Sequence, residues 1–266
     1  LLRLELESQW IDIRDVNLLR TAINRIQPDI IFHLAAQSLV RKSYRDPLDT
    51  WSTNVMGTAN LLDACIGMDN LKGILVVSTD KCYENKEWVH PYRETDELGG
   101  YDIYSSSKAC TEILVKSYQR SFFAINDYKI KHSTLISTVR AGNVIGGGDW
   151  SMDRLIPDIM RAVSNKEITK IRNPKSIRPW QHVLDCLFGY LLIGEKLLEE
   201  KIEYADAWNF SPHAFEAITV KQVADISKNI WNEINVEFEK PKDDFHEAEA
   251  LKLDNTKSIS LLGWKP

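Results

Sequence analysis

The chain has 266 residues, 44% hydrophobic and 27% charged, with a net charge of -5. That length is enough for a large core in one or two domains, and the acidic balance argues against a general nucleic-acid or membrane-surface partner. No apolar run approaches the roughly 18 residues of a membrane span, and no signal-peptide pattern opens the chain. Cys65, Cys82, Cys110 and Cys186 are scattered without C-x-x-C spacing, which fits reduced thiols in a cytosol and argues against a zinc site or a disulfide frame.

The chain opens on Leu1-Leu-Arg-Leu-Glu-Leu-Glu7 with no clear start, and a front segment is expected to be missing. Asp12-Ile13-Arg14-Asp15 reads as a strand end and a helix cap, with Asp15 capping a helix through Gln27. Leu18, Leu19, Ala22, Ile23 and Ile26 fall at helical spacing within it. Residues 30–34 form a short apolar run, read as a strand buried on both faces. Ala35 and Ala36 follow, small enough for a ligand to approach the backbone. Residues 47–66 read as a long helix with Pro47 in its first turn. Gly57 inside it costs stability, so close packing against a neighbour is expected there.

Residues 74–78 read as a buried strand ending at Ser78 and Thr79, and residues 101–123 as a helix carrying Tyr104 and Lys108. A strand follows at 132–140. This βαβ succession predicts a parallel sheet with right-handed crossovers. Further on, the pattern gives a helix at 155–165 and strands at 168–172 and 177–183 around a turn at Asn173-Pro174. A helix at about 184–200, a strand at 207–210 and a helix at 220–231 complete it.

Tyr104 and Lys108 lie one turn apart on one helix face. A tyrosine with a pKa of about 10 is a poor base at neutral pH, and lowering it by about three units takes about 4 kcal/mol. The Lys108 ammonium is expected to favour the phenolate. A Tyr-x-x-x-Lys pair arises by chance in many helices. What distinguishes this one is the hydroxyl of Thr79 at a strand tip, where parallel sheets present their active crevice. Without further context, Thr79 is a strand-end cap, Asp80 and Lys81 a surface pair, Ala35 and Ala36 packing residues, and His33 a satisfied core histidine.

Several longer stretches carry a resemblance: His33-Leu-Ala-Ala-Gln37, Ser52-Thr-Asn-Val-Met-Gly57, Ser78-Thr-Asp-Lys-Cys-Tyr83, Arg140-Ala-Gly-Asn-Val-Ile-Gly-Gly-Gly-Asp-Trp150, Asp153-Arg-Leu-Ile-Pro-Asp158, and Arg172-Asn-Pro through Gln181-His182. With Tyr104-x-x-x-Lys108, the chain resembles the extended short-chain dehydrogenase/reductase family, and within it the nucleotide-sugar 4,6-dehydratases, with CDP-glucose the expected substrate. The resemblance implies an α/β fold: a Rossmann-like doubly wound parallel sheet with its first βαβ unit missing, and a smaller C-terminal α/β substrate-binding domain. Residues 1–142 would form the NAD-binding part and 143–266 mainly the nucleotide-sugar part, interleaved with the first. The family's G-x-x-G-x-x-G turn is not found before Asp12. Gly146-Gly147-Gly148 lies on the substrate side and does not replace it, so NAD binding is expected to be weak.

The resemblance also implies roles. Tyr104 would take the C4 hydroxyl proton, Thr79 would bond the 4-oxygen, Asp80 would protonate the leaving C6 hydroxyl, and Lys81 would take the C5 proton. The family's better-known triplet is Thr-Asp-Glu, and here it is Thr-Asp-Lys. NAD would meet Asp12 and Ile13 at the adenine, Leu34, Ala35 and Ala36 beside the phosphates and ribose, then Asn54, Tyr104 and Lys108. Asn143, Arg154, Arg178 and His246 would hold the nucleotide sugar, and Trp150 or Trp180 would line the base pocket. No metal is implied. The family often dimerises through a four-helix bundle, here residues 47–66 and 104–123 of each copy. A cytoplasmic homodimer serving O-antigen or other lipopolysaccharide deoxysugars is expected. The alternatives are a nucleotide-sugar 4-epimerase of the same family and a non-catalytic nucleotide-binding fragment.

Overall fold

The computed structural model describes residues 6–239 and 248–266. Asp15 caps α1 (Val16–Ile26), its carboxylate accepting from the amides of Asn17 and Leu18 at 3.1 and 3.0 Å. Gln27 ends the helix in the left-handed region at φ 49°. The chain then enters β1 (Ile30–His33), α2 (Val40–Arg45) and a continuous helical rod: α3 (Pro47–Trp51), a π-turn over Ser52–Met56, and α4 (Gly57–Ala64). The tight packing expected at Gly57 is present, because a Cβ there would lie 2.5 Å from Ile13 Cδ1.

Next come β2 (Gly73–Val77), the long helix α5 (Ile103–Ser121) and β3 (Leu135–Ala141). The helix starts at Ile103 because Asp102 caps it, accepting from Ser105 N at 3.0 Å. After it come β4 (Val144–Ile145), α6 (Leu155–Asn165), β5 (Thr169–Ile171), β6 (Ile177–Arg178), β7 (Gln181–His182), α7 (Val183–Leu198) and β8 (Ala207–Phe210). The described chain ends through β9 (Ile218–Thr219), α8 (Val220–Ile230), β10 (Val236–Phe238) and α9 (Thr256–Leu262).

The main sheet is parallel, in the order β1-β2-β3-β8. Alternation along β2 sends Ile74 and Val76 into a core with Ile23, Leu61, Leu62 and Val115, on the side of α1, α4 and α5. Leu75 points the other way, into a core with Tyr190, Ile193, Leu197, Trp208 and Phe210. The result is a three-layer α/β/α fold, as the alternating pattern predicts. Helix α7 and strand β8 come from the C-terminal half, yet both pack into this unit.

Two local expectations need correcting. β1 is not buried on both faces: it borders the sheet among the described residues, and Phe32 is exposed. The strand expected over 177–183 is two strands, split where Pro179 offers no amide to a ladder. The turn expected at Asn173-Pro174 is present, Ser176 N donating to Asn173 O at 3.2 Å, but the strands on either side do not pair with each other: β5 pairs with β10 in parallel and β6 antiparallel with β9.

Candidate active site

A cleft of about 720 Å³ opens beyond the C-terminal ends of β2 and β3, where open parallel sheets bind ligands, and its volume suits a medium-sized ligand. Thr79, Asp80, Lys81 and Tyr104 line it, and so do Asn143, Arg154, Arg178, Trp150 and Trp180 from the second half. Lys108 sits beneath, buried, its ammonium donating to Val77 O at 3.1 Å.

Thr79 has extended backbone and heads a short 3₁₀ turn, Asp80–Cys82. Its hydroxyl donates to Asp80 Oδ1 at 3.0 Å. The other carboxyl oxygen, Asp80 Oδ2, is buried without a hydrogen-bond partner among the described residues. Burial raises the Asp80 pKa, against the opposing pull of Lys81, the Thr79 hydrogen bond and Arg178. The chain approaches this carboxyl closely at Gly142, where a Cβ would meet Pro179 Cγ at 2.2 Å and Asp80 Oδ2 at 3.1 Å.

The electrostatics of Tyr104 differ from the sequence expectation. Burial pushes its phenol up to about 12, and the hydrogen bond with Thr79 lowers it only in part. Lys108 is itself pulled down to about 8 by burial, against the Glu112 carboxylate, which raises it. Both side chains lose water when helix α5 packs against the sheet, and that desolvation is the largest cause of each shift. In the ligand-free protein the phenol is therefore neutral at physiological pH.

Of the residues expected at the cofactor, Tyr104 lines the cleft, whereas Asp12, Ile13, Leu34, Ala35, Ala36 and Asn54 do not. Leu34 and Ala35 are exposed just past β1. Asp12 is held by the Arg14 guanidinium at 2.6–3.0 Å, which lowers its pKa to about 2. The Ile13 carbonyl accepts from Asn60 Nδ2 at 3.0 Å. Ala36 is half-buried. Asn54 sits in the π-turn, a distortion found often at functional sites. Its amide is fully used: it accepts from Gln37 N at 2.8 Å and donates to Gln37 O at 3.0 Å and Ser107 Oγ at 2.9 Å. Its carbonyl takes the hydroxyls of Thr58 and Thr111. Asn54 thus ties the loop after β1 to α5.

On the substrate side, Arg154 bridges Asp149 Oδ2 at 2.7 Å and Ser38 Oγ at 2.8 Å, tying the two walls of the cleft. Arg178 is buried and oriented by the carbonyls of Ile177 and Ala248 at 2.9 and 2.6 Å. Trp180 Nε1 donates to Ile218 O at 3.2 Å, while Trp150 is exposed at the rim. His246 lies outside the described residues. Sequence reasoning passed over Tyr190 of α7, a buried ring lining the cleft. It reads as one more apolar position of a hydrophobic helix, with no local signal.

A family model described as GDP-mannose 4,6 dehydratase matches residues 3–266. The chain is 46% identical over 261 residues to CDP-glucose 4,6-dehydratase of Salmonella typhimurium, covering 98% of this chain and 72% of that relative. Among solved structures, UDP-glucuronic acid 4-epimerase of Bacillus cereus superposes with a TM-score of 0.81 at 21% identity, over 96% of this chain and 75% of the other. A dTDP-glucose 4,6-dehydratase of Streptomyces venezuelae gives 0.79 at 22%, over 96% and 73%.

Proposed function

The chain belongs to the family described as GDP-mannose 4,6 dehydratase, and from that premise we propose that it is an NAD-dependent CDP-glucose 4,6-dehydratase, a hydro-lyase forming CDP-4-keto-6-deoxyglucose. The sugar is oxidised at C4, loses water across C5 and C6, and is reduced at C6. The substrate assignment is supported by the near full-length identity to the Salmonella enzyme. The observation that carries the reaction type is Asp80, a buried carboxyl whose pKa is raised by burial, with one oxygen unpartnered among the described residues, in the cleft that Tyr104 lines. An epimerase needs Tyr104 but no acid for a leaving hydroxyl.

Asp80 supplies the proton that lets the C6 hydroxyl leave as water. Lys81, half-buried beside it in the cleft, takes the proton from C5, which the 4-keto group acidifies. Thr79 hydrogen-bonds the 4-oxygen, and Tyr104 takes the C4 hydroxyl proton. Bound NAD supplies a hydride acceptor and donor and a positively charged ring. Bringing Tyr104 from about 12 to about 7 takes about 7 kcal/mol. A unit charge at about 4 Å contributes about 4 kcal/mol at an effective dielectric of 20, so a single cation at that distance does not suffice and two would.

The strand ends fit a dinucleotide. Exposed Leu34 and Ala35, with Ala36, leave the backbone after β1 approachable, and among the described residues Lys108 has one hydrogen-bond acceptor for three ammonium protons. Asp12 and Ile13 hold the adenosine end, Tyr104 and Lys108 the nicotinamide end, and Asn54 shapes the floor between. Arg178, Arg154 and Asn143 hold the sugar diphosphate, guanidinium groups matching phosphate oxygens.

We infer further a homodimer joined through the rod of residues 47–66 and α5, whose exposed Leu48, Met56, Ile113 and Phe122 suit a four-helix bundle. No helix among the described residues is long and apolar enough to cross a membrane. We assign the protein to the cytoplasm and to deoxysugar supply for lipopolysaccharide O-antigen. The test supplies NAD and CDP-glucose and reads the ultraviolet absorbance of the 4-keto product in base. Turnover of CDP-glucose ahead of the UDP and dTDP sugars is expected. Loss of no water, or an epimerised hexose as product, would overturn the assignment.

A further inference from the structure

We infer that Arg140 is a positioning residue that sets the spacing between Tyr104 and Thr79, by bonding on one side to the helix that carries Tyr104 and on the other to the turn that carries Thr79. The inference rests on the dehydratase reading. Tyr104, Lys108 and Glu112 form one stripe of α5 at intervals of four residues. Glu112 is buried, and its carboxylate receives both donors of one edge of the Arg140 guanidinium: Nε to Oε1 at 2.9 Å and Nη2 to Oε2 at 2.8 Å. Thr138 Oγ1 adds a third bond to Oε2 at 2.8 Å.

The remaining amino group of the guanidinium turns toward the segment after β2. Arg140 Nη1 donates to Tyr83 Oη at 2.8 Å and to the carbonyl of Glu94 at 3.1 Å. Tyr83 stands immediately after the turn Asp80–Cys82. Its hydroxyl passes its own proton to Asn209 Oδ1 at 2.7 Å, on β8. Asn209 in turn donates to the carbonyls of Tyr92 and Asp254 at 2.9 and 3.2 Å. The guanidinium also lies over the Tyr83 ring, 5.0 Å from its centroid. Helix α5, strands β3 and β8 and the loop after β2 therefore meet on one planar cation.

A bidentate fork fixes direction as well as distance, and a shift of about 1 Å at reacting groups can cost about a hundredfold in rate. An apolar pair of similar volume would hold the core equally well, but it would not fix the helix at a set height above the turn. The buried ion pair is thus best explained by register.

The test compares the full chain with two variants under saturating NAD. Removing one charge alone strands the other, so Glu112→Met and Arg140→Met are made together. The double variant is expected to fold, to keep its KM for CDP-glucose within threefold, and to lose at least thirtyfold in kcat. Tyr83→Phe removes only the hydroxyl linking Arg140 to the turn, and is expected to lose about tenfold in kcat at unchanged KM. A merely structural pair would lower the unfolding temperature without this split. A folded double variant with kcat within threefold of the parent overturns the inference. If the double variant fails to fold, Tyr83→Phe decides, and parental kcat there overturns it. If the parent makes no 4-keto sugar, the dehydratase reading fails separately. Crystal structures of parent and Tyr83→Phe then decide this inference: a widened separation of the Tyr104 and Thr79 hydroxyls supports it, and an unmoved one overturns it.

Discussion

Replacing Asp80 by asparagine isolates the acid step. The carboxyl is buried, accepts one hydrogen bond from Thr79 at 3.0 Å, and keeps Oδ2 without a hydrogen-bond partner among the described residues. Asparagine has the same shape and also accepts from Thr79, so substrate binding should change little. What disappears is a proton donor, and such donors contribute about 10²- to 10⁴-fold, or about 3–5 kcal/mol of barrier. The expected result is kcat lower by that factor with KM within about threefold. Proton abstraction from C5 does not need Asp80. In heavy water, recovered CDP-glucose should therefore gain deuterium at C5, read by mass spectrometry, while the 4-keto product fails to accumulate.

Stability should move the opposite way. The folded-state pKa of Asp80 is raised above its ordinary 3.8, so the native state binds more protons than the unfolded chain above that pH. Stability is then lost as pH rises through the window between the two values. Asp80→Asn removes that loss, and its unfolding temperature should exceed the parent's at pH 7 but match it below pH 3.8. A variant with parental kcat, or one equally impaired in C5 exchange and turnover, would refute the reasoning.

Lys108 makes a second test. Its folded pKa of about 8 lies below the ordinary 10.5, so the unfolded chain binds the extra proton between those values and parental stability rises with pH across them. Lys108→Met should unfold later at pH 7, by up to about 3 kcal/mol before the lost bond to Val77 is counted. That advantage should shrink in melts taken between pH 8 and 10.5. His33, buried against Thr58 at 3.0 Å with its pKa lowered to about 4 by burial and by Lys108, should make the parent lose up to about 3 kcal/mol as pH falls from 6.5 to 4. His33→Gln should flatten that acid limb in denaturant titrations. Gly142→Ala drives a methyl into Pro179 and toward Asp80. It should cost about 1–3 kcal/mol in stability and more than tenfold in kcat, whereas a fully active Gly142→Ala would show that the close approach is unimportant.

Much of the local architecture follows from the sequence alone. The cap at Asp15, the helix at 155–165, the strand at 207–210 and the Tyr104–Lys108 face depend on residues within a few positions of one another, and local pattern specifies them. So does the placement of Thr79 at a strand tip. The split of 177–183 was legible in Pro179 as well, though the different partners of β5 and β6 were not, because pairing across sheets depends on distant chain. Arg140 within an otherwise uncharged strand hinted at a buried partner. That the partner is Glu112, 28 residues earlier, appears only once α5 lies across β3.

The electrostatics belonged to the tertiary structure altogether. Spacing places an ammonium near a phenol and suggests a lowered phenol pKa. Folding removes water from both, and the phenol moves up instead. The same desolvation readies Asp80 as an acid. Sequence fixes which charges are neighbours along a helix, while the energy of each charge depends on how much solvent the whole fold takes away from it.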